Sequence, residues 1–318
     1  MKVLVVGHRG FIGPMVVKHL KHSGATVHGI DEGWYDESIR GLNAEHIPHS
    51  ERNGVNARFS DIDALGTYDV IVWLAAVSND HMGDLDEFDT FWSNYELPKM
   101  KAQDFWDRNP NGRFVYISSA SVYGANGDIA KESTETDPLT AYSKSKVKMD
   151  EWLWQQERSW VSLRLGTLWG VSPNMRRDLV VNAFVWEAIH TKHIHPKSTA
   201  KRPILNVDDA GWIISLGAIL PAVQGIYNAC AENVTVTQLA DRIGFVTGAE
   251  VSPYAGDDGD KRDYWMDNSR LLYHFEIRDN ELAKTIDSLE IIDVQQALIP
   301  YNGQLRTRTE IYKEGLEK

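Results

Sequence analysis

The sequence predicts an α/β protein: a Rossmann-type doubly wound parallel sheet joined to a smaller, irregular α+β lobe. Two observations carry this fold. Short apolar runs alternate with longer amphipathic stretches through the first half, as when a buried parallel sheet is wrapped by helices. The first run, Val3-Leu4-Val5-Val6, passes directly into Gly7-His8-Arg9-Gly10-Phe11-Ile12-Gly13, the sequence form of a dinucleotide-binding turn.

Strands are expected at residues 3–6, 26–30, 57–59, 70–74, 114–119 and 161–165, with helices at 11–23, 86–108 and 140–158. Strand and helix alternate through these units, which is the doubly wound pattern. Beyond about residue 165 the alternation fails, and helices are expected at 178–190, 208–220 and 237–247. The 318 residues suit about two domains at roughly 150 residues each. They divide into a NAD-binding domain at 1–170 and a lobe at 171–318, with segments such as 203–228 expected to pack back on the first domain. No repeat of solenoid or propeller length is visible. Residues from 271 onward carry no readable motif.

Hydrophobic residues make up 42% and charged residues 25%, an ordinary globular mixture that excludes fibre and disorder. The net charge of −12 opposes any general attraction to nucleic acid or anionic lipid. The single cysteine, Cys230, cannot form an internal disulfide, which fits a reducing compartment. The first apolar run is too short for a signal-peptide core, and no membrane-spanning apolar window follows. The expectation is a cytoplasmic protein.

In the turn, Gly7 allows the tight bend, Gly10 lets a pyrophosphate approach the helix N-terminus, and Gly13 permits close packing of helix on sheet. Asp31, 24 residues after Gly7, ends the second strand, where a carboxylate accepts hydrogen bonds from an adenine ribose. That carboxylate repels a 2′-phosphate and selects NAD. Arg9 points the other way, because a guanidinium pairs with such a phosphate. NAD is the expected cofactor and NADP the alternative.

The 114–119 strand ends in Ser118-Ser119-Ala120-Ser121-Val122-Tyr123-Gly124, and the next helix carries Tyr142 and Lys146, four residues apart on one face. Hydroxyls at the carboxyl end of a central strand lie where open α/β sheets bind ligands. A phenol, with its ordinary pKa of about 10, is a poor base at neutral pH; a nearby ammonium and a nicotinamide cation favour its phenolate. Tyr142 is thus placed to exchange the proton of an alcohol, with Ser119 hydrogen-bonding the same oxygen.

The sequence resembles the extended short-chain dehydrogenase/reductases, the nucleotide-sugar epimerase and dehydratase family, over nearly its whole length. The resemblance rests on the glycine turn, Asp61-Ile62, Leu74-Ala75-Ala76, Asn94, the Ser118 to Gly124 segment, Tyr142 with Lys146, residues 164–170, and Arg202-Pro203-Ile204-Leu205-Asn206-Val207-Asp208-Asp209. It implies that Asp61 and Ile62 flank the adenine and that Leu74, Ala75 and Ala76 line the cofactor, along with Phe11, Ile12, Ser118 and Gly166. Asn94 is implied to support the active-site helix beside the cofactor. Substrate contacts are implied for Ser78, Ser119, Ser121, Thr167, Asn182, Arg202 and Arg262, with Arg202 near the nucleotide of a nucleoside-diphosphate sugar. A homodimer is also implied by the resemblance.

Departures narrow the chemistry. Where 4,6-dehydratases carry an Asp-Glu pair after the catalytic hydroxyl, this chain has Ala120 and Ser121, which argues against water elimination. The Ser-Ala-x-Val-Tyr-Gly pattern is similar to that of UDP-galactose 4-epimerases. The Gly-His-Arg-Gly turn is similar to that of GDP-fucose synthases, whose catalytic cysteine is absent here. Trp73 and Thr167 replace a common His and Asn, and Asp257-Asp258-Gly259-Asp260 stands where an arginine often precedes a Gly-Asp, leaving Arg262 as its substitute.

His190, His193 and His195 have no carboxylate among them in sequence and are not read as a metal site. The acidic 257–260 stretch lacks the terminal Glu of a calcium loop. Trp152, Trp154 and Trp160 read as packing and dimer-face residues, not nucleic-acid platforms. The expected function is an NAD-dependent epimerase that transiently oxidises a sugar hydroxyl, at C4 by resemblance. The alternatives are a net nucleotide-sugar oxidoreductase and a catalytically silent dinucleotide-binding regulator.

Overall fold

The computed structural model describes residues 1–31, 33, 68–78, 80–125, 127–254, 256, 262–282 and 288–298. The expected 57–59 strand, Asp61, Ile62 and the 257–260 stretch lie outside the described residues. In chain order the first part comprises β1 (Lys2–Val6), α1 (Gly13–His22), β2 (Thr26–Ile30), β3 (Val70–Trp73), α2 (Asp80–Gly83), α3 (Glu87–Phe91), α4 (Leu97–Arg108), β4 (Arg113–Ser119), β5 (Ile129–Ala130), α5 (Ala141–Trp154) and β6 (Ser159–Leu165). The second part comprises β7 (Thr167–Trp169), α6 (Val180–Thr191), β8 (His193–Ile194), β9 (Lys201–Asn206), α7 (Val207–Ile219), β10 (Gly225–Ala229), β11 (Glu232–Thr235), α8 (Val236–Thr247), β12 (Glu250–Val251), β13 (Trp265–Met266), α9 (Ser269–His274) and α10 (Ser288–Leu298).

The central sheet has the order β2-β1-β3-β4-β6-β10, and every neighbouring pair is parallel. Its strands read as continuous apolar runs because both faces are covered, and side-chain alternation divides them cleanly. Val3, Val5, Val70, Val72, Val115, Val161 and Leu163 pack with α1 and α7. Leu4, Val6, Ile71, Trp73, Phe114 and Tyr116 pack with α4 and α5. The approach of α7 to α1 is close enough that a Cβ on Gly211 would lie 2.5 Å from the Met15 Cβ.

Winding runs outward from β1 to β2, then reverses to β3, β4, β6 and β10, so the switch point lies between β1 and β3. Val6 aligns with Trp73, and Trp73 with Tyr116, so Ile117, Ser118 and Ser119 run past the end of β3 into the crevice.

The structure departs from the expected elements in three places. The edge strand β10 is absent from the expected set, because Gly225-Ile226-Tyr227-Asn228-Ala229 has no continuous apolar run. Its buried Asn228 is satisfied: the side-chain amide donates to Ala130 O (3.0 Å) and Asp267 O (3.1 Å). The expected helix at 86–108 is divided by a π-helical turn, Trp92–Glu96. Among the described residues, the tail without a readable motif includes the end of α9 and all of α10, and Ile291, Val294 and Leu298 of α10 are buried against α6 and α8 in a separate core. A three-stranded sheet, β11-β9-β7, completes this second lobe. Among the described residues no helix is long and apolar enough to cross a membrane.

One buried charged group ties α5 to the sheet. Asp150 accepts from Ser118 Oγ (3.0 Å), Ser162 Oγ (2.6 Å) and Arg164 Nε (2.9 Å). Arg164 continues the network, its Nη1 donating to the Tyr123 hydroxyl at 2.8 Å. Both members of the ion pair are nearly inaccessible, with side chains 5% and 3% exposed. Removing one partner of such a pair strands a buried charge. Asp150→Ala is therefore expected to lower stability by about 3–5 kcal/mol, read by denaturant unfolding, whereas an exposed pair such as Lys148–Glu151 is expected to contribute under about 1 kcal/mol.

Candidate active site

A cavity of about 1000 Å³ opens at the switch point and extends from the glycine turn past Ser119 and Tyr142 to Arg202 and Tyr264. At its floor the Gly7 N–H donates to Ile30 O (2.7 Å), and Gly7 takes φ of 87°, a left-handed conformation that favours glycine. A Cβ there would lie 2.7 Å from the Ala75 nitrogen, so turn and β3 end meet backbone to backbone. At Gly10 an added Cβ would meet only Gly7 O, at 3.3 Å, which leaves its outer side open to the cavity. Gly13 serves differently from expectation: a Cβ would clash with His8 O at 2.2 Å, so it packs helix on turn instead of helix on sheet.

The first turn of α1 has no side-chain cap and no acidic residue, which leaves a helix N-terminus suited to an anion. The Asp31 carboxylate is fixed at the cavity edge by N–H donors from Arg9 (2.9 Å) and Gly33 (2.8 Å). Turn, helix end and acid together form a cradle that fits a dinucleotide.

The second cluster is built by β4 and α5. Ser119 Oγ accepts from the Ser121 N–H (3.2 Å) and lies 2.9 Å from Ser121 Oγ. Thr140 and Ser143 form a reciprocal capping box that starts α5 and orients Tyr142 in its first turn. Gly83 of α2 abuts Tyr142 so closely that a Cβ would come within 2.8 Å of the Tyr142 Cβ. The Tyr142 phenol is pushed up to about 12 by desolvation, with Asp80 acting in the same direction, while a hydrogen bond with Ser119 and the charge of Arg176 pull it down.

Lys146 Nζ donates to Ile117 O (2.7 Å) and lies 4.7 Å from the Tyr116 ring centroid and 5.7 Å from that of Tyr142. Burial lowers the ammonium to about 7, against the pull of Asp150.

Of the site residues predicted from sequence, Gly7, Gly10, Phe11, Ile12, Gly13, Asp31, Leu74, Ala75, Ala76, Ser78, Ser118, Ser119, Ser121, Tyr142, Lys146, Gly166, Thr167, Arg202 and Arg262 line this one cavity. Asn94 and Asn182 do not. The Asn94 side chain pairs both backbone groups of Val77 (2.9 and 3.0 Å) and reaches Ser145 Oγ (3.1 Å), holding the β3 exit loop to α5. Asn182 accepts from the Gly170 N–H (3.1 Å) and donates to Arg176 O (2.8 Å). Both amides are consumed by buried backbone groups, which explains their withdrawal from the cavity.

Residues that sequence reasoning misses complete the far wall. Arg176 and Asp178 form an ion pair, and Asp80 accepts from Thr140 Oγ1 (2.5 Å) and from the Arg262 guanidinium. Arg202 donates to Lys201 O (2.7 Å) and Arg262 O (2.6 Å) and lies 5.9 Å from the Tyr264 ring centroid. The only sequence signal for the first pair is a charged Arg176-Arg177-Asp178 interruption before an apolar helix. His193 and His195 instead face Glu250 (3.5 Å) and Glu187 (3.9 Å), and His190 stacks on Trp186. Among the described residues no group of three or more His, Cys, Asp or Glu gathers as a metal site.

Comparison with known proteins agrees with this arrangement. Residues 3–228 match the model of the NAD dependent epimerase/dehydratase family. The "uncharacterized UDP-glucose epimerase YtcB" of Bacillus subtilis strain 168 is 24% identical over 297 residues, 87% of this chain and 93% of the relative. The UDP-glucose 4-epimerase of Thermus thermophilus, solved with NAD, superposes with a TM-score of 0.74 at 21% identity, covering 93% of this chain and 100% of that one. The Methanobrevibacter ruminantium M1 UDP-N-acetylglucosamine 4-epimerase gives a TM-score of 0.77 at 17% identity, covering 94% and 98%. The chain belongs to the NAD dependent epimerase/dehydratase family, and NAD is the cofactor of that family.

Two measurements follow from this geometry. Asp31→Ala is expected to weaken NAD binding by roughly tenfold while affecting NADP less; equal losses would refute the ribose role. The ultraviolet difference titration between the wild type and Tyr142→Phe is expected to place the phenol near 12 in cofactor-free protein. Adding oxidised NAD should move that transition to lower pH, because a cation beside the phenol favours the phenolate.

Proposed function

From family membership as its premise, we propose that this protein is an NAD-dependent nucleotide-sugar epimerase that acts by transient oxidation of a sugar hydroxyl, at C4, with Tyr142 as the acid/base. The observation that carries this reading is that Ser119, at the overhanging end of β4, and Tyr142, with Lys146 one helical turn beyond it, line the same cavity as the glycine cradle.

Gly7, Gly10 and the α1 N-terminus hold the cofactor's phosphates, and Asp31 its ribose. NAD held there would supply the acceptor, and then the donor, of a hydride at the sugar carbon. Tyr142 takes the hydroxyl proton as the carbonyl forms and gives it back on reduction, so no net proton or electron is exchanged. Ser119 donates to the carbonyl oxygen and to the alkoxide that develops on re-reduction. Lys146 stays near the phenol and turns its ammonium toward Ile117 O. Arg202 and Arg262, at the end of the cavity lined by Tyr264, face the diphosphate.

A 4-epimerase is favoured over an eliminating enzyme because Ser119 is followed by Ala120 and Ser121, which carry no acid or base. UDP-sugars are the first substrates to test, since the relatives above are named for them.

The test gives purified protein excess NAD and, singly, UDP-, GDP-, CDP- and dTDP-sugars, following reduced nicotinamide by near-ultraviolet absorbance and sugar identity by chromatography. Sugar conversion without accumulating reduced cofactor is the expected outcome; stoichiometric accumulation would instead make the protein a net oxidoreductase. Tyr142→Phe should cut turnover by about 10²- to 10⁴-fold while sparing NAD binding.

A further inference from the structure

One ion pair spans the cavity from the α5 side to the β9 side. Asp80 opens α2, and Arg262 lies in the segment before β13, 182 residues further along the chain; the guanidinium Nη1 donates to Asp80 Oδ2. Both residues line the cavity, with the Arg262 side chain 26% exposed and that of Asp80 only 9%.

The carboxylate is the fixed member of this pair. Its Oδ1 accepts from Oγ1 of Thr140 (2.5 Å), the N-cap of α5, and the Ala141 N–H donates to Asp84 Oδ1 (3.2 Å) just beyond α2. Gly83 abuts Tyr142 without room for a side chain, so α2 is packed on the first turn of α5. The main chain that carries the guanidinium is anchored too. Arg262 O accepts from Arg202 Nη1 (2.6 Å), Asp263 Oδ1 accepts from the Lys201 N–H (2.8 Å), and the Asp263 N–H donates to Gly124 O (3.1 Å). A change of partner therefore needs only the long Arg262 side chain to turn.

Arg262 is also the cation that the proposed function directs at the diphosphate, so two anions need one guanidinium: a carboxylate of the protein and the phosphates of the ligand. A cation already paired with a nearly buried carboxylate attracts a second anion less, because the new contact is offset by the pair that breaks. We propose that Asp80 is a built-in competitor for the diphosphate, holding Arg262 until a nucleoside diphosphate takes it over and so setting how tightly nucleotide is held and how fast it leaves. The proposal rests on the nucleotide-sugar reading and adds the residue that tunes affinity for the phosphates. Binding substrate more tightly in every state lowers KM without raising kcat, so a competitor at the non-reacting phosphates favours turnover.

The test titrates the NAD-loaded full-length protein calorimetrically with UDP, GDP, CDP and dTDP. Asp80→Asn, checked for folding by its melting curve, is expected to bind the accepted nucleotide about fivefold more tightly than the wild type. Dissociation should slow by a similar factor, with NAD affinity unchanged. The amide keeps an acceptor for Thr140 and removes the charge. A cavity merely loosened by the substitution would bind nucleotide more weakly, so a gain separates competition from structural damage. Asp80→Ser, which also removes the charge, takes its place where Asp80→Asn does not fold. Unchanged or weaker nucleotide binding by the folded variant overturns the proposal, because Asp80 would then be aiming Arg262 at the diphosphate. Failure of the underlying reading has a separate signature: no nucleoside diphosphate binds wild type or variant, and that outcome removes both.

Discussion

The geometry of this protein depends on one buried carboxylate. Asp150 lies on α5 one helical turn beyond Lys146 and accepts from Ser118 on β4 and from Ser162 and Arg164 on β6. These bonds fix both the rotation of α5 and its position along the sheet. Tyr142 and Lys146 share that helix, and Ser119 follows Ser118, so one network places all three groups. An apolar contact would have held α5 against the sheet with less control over its rotation, because hydrophobic burial is non-directional. The buried charge thus has a positional use that its desolvation cost alone would not justify.

A second set of bonds joins the two halves of the cavity. Ser172 and Asn174 donate to carbonyls of the glycine turn, and the same loop ends in Arg176 and Asp178 on the opposite wall. The loop thus ties the glycine turn to the opposite wall of the cavity. Asn94 does comparable work on the other side, tying the exit of β3 to α5 through Val77 and Ser145. Its position in a π-helical turn explains how a residue within a long helical stretch meets both partners, since the widened turn offsets the helix on either side.

Much of this architecture is legible in the sequence, and the reasons are specific. Strands β1 and β3 are buried on both faces and therefore read as uninterrupted apolar runs, and the glycine turn has a fixed order imposed by backbone clearance at Gly7 and Gly13. Strand β10 is not legible, because its polar Asn228 is satisfied by Tyr123, Ala130 and Asp267, which are distant in sequence. The same limit explains Arg176 and Asp178. A charged pair before a helix looks like a solvated loop until the fold turns it inward. Asn94 and Asn182 show the converse: residue type suggests a ligand contact, but buried backbone groups claim their amides.

The electrostatics of Tyr142 and Lys146 follow from this burial. A phenol and an amine removed from water both favour their neutral forms, so desolvation raises one to about 12 and lowers the other to about 7. The phenol consequently stays protonated at neutral pH as the chain alone builds it. The groups that favour the phenolate are a hydrogen bond from Ser119 and the charge of Arg176, and Arg176 is itself muted by Asp178. A positive charge that arrives with a ligand would lower the phenol and raise the share of phenolate at neutral pH. In the proposed reaction a nicotinamide cation bound beside Tyr142 would favour loss of the phenol proton, and the neutral reduced form would favour its return. Such conditional ionisation would suit the proposed epimerase, in which one group takes up a proton in the first half-reaction and returns it in the second.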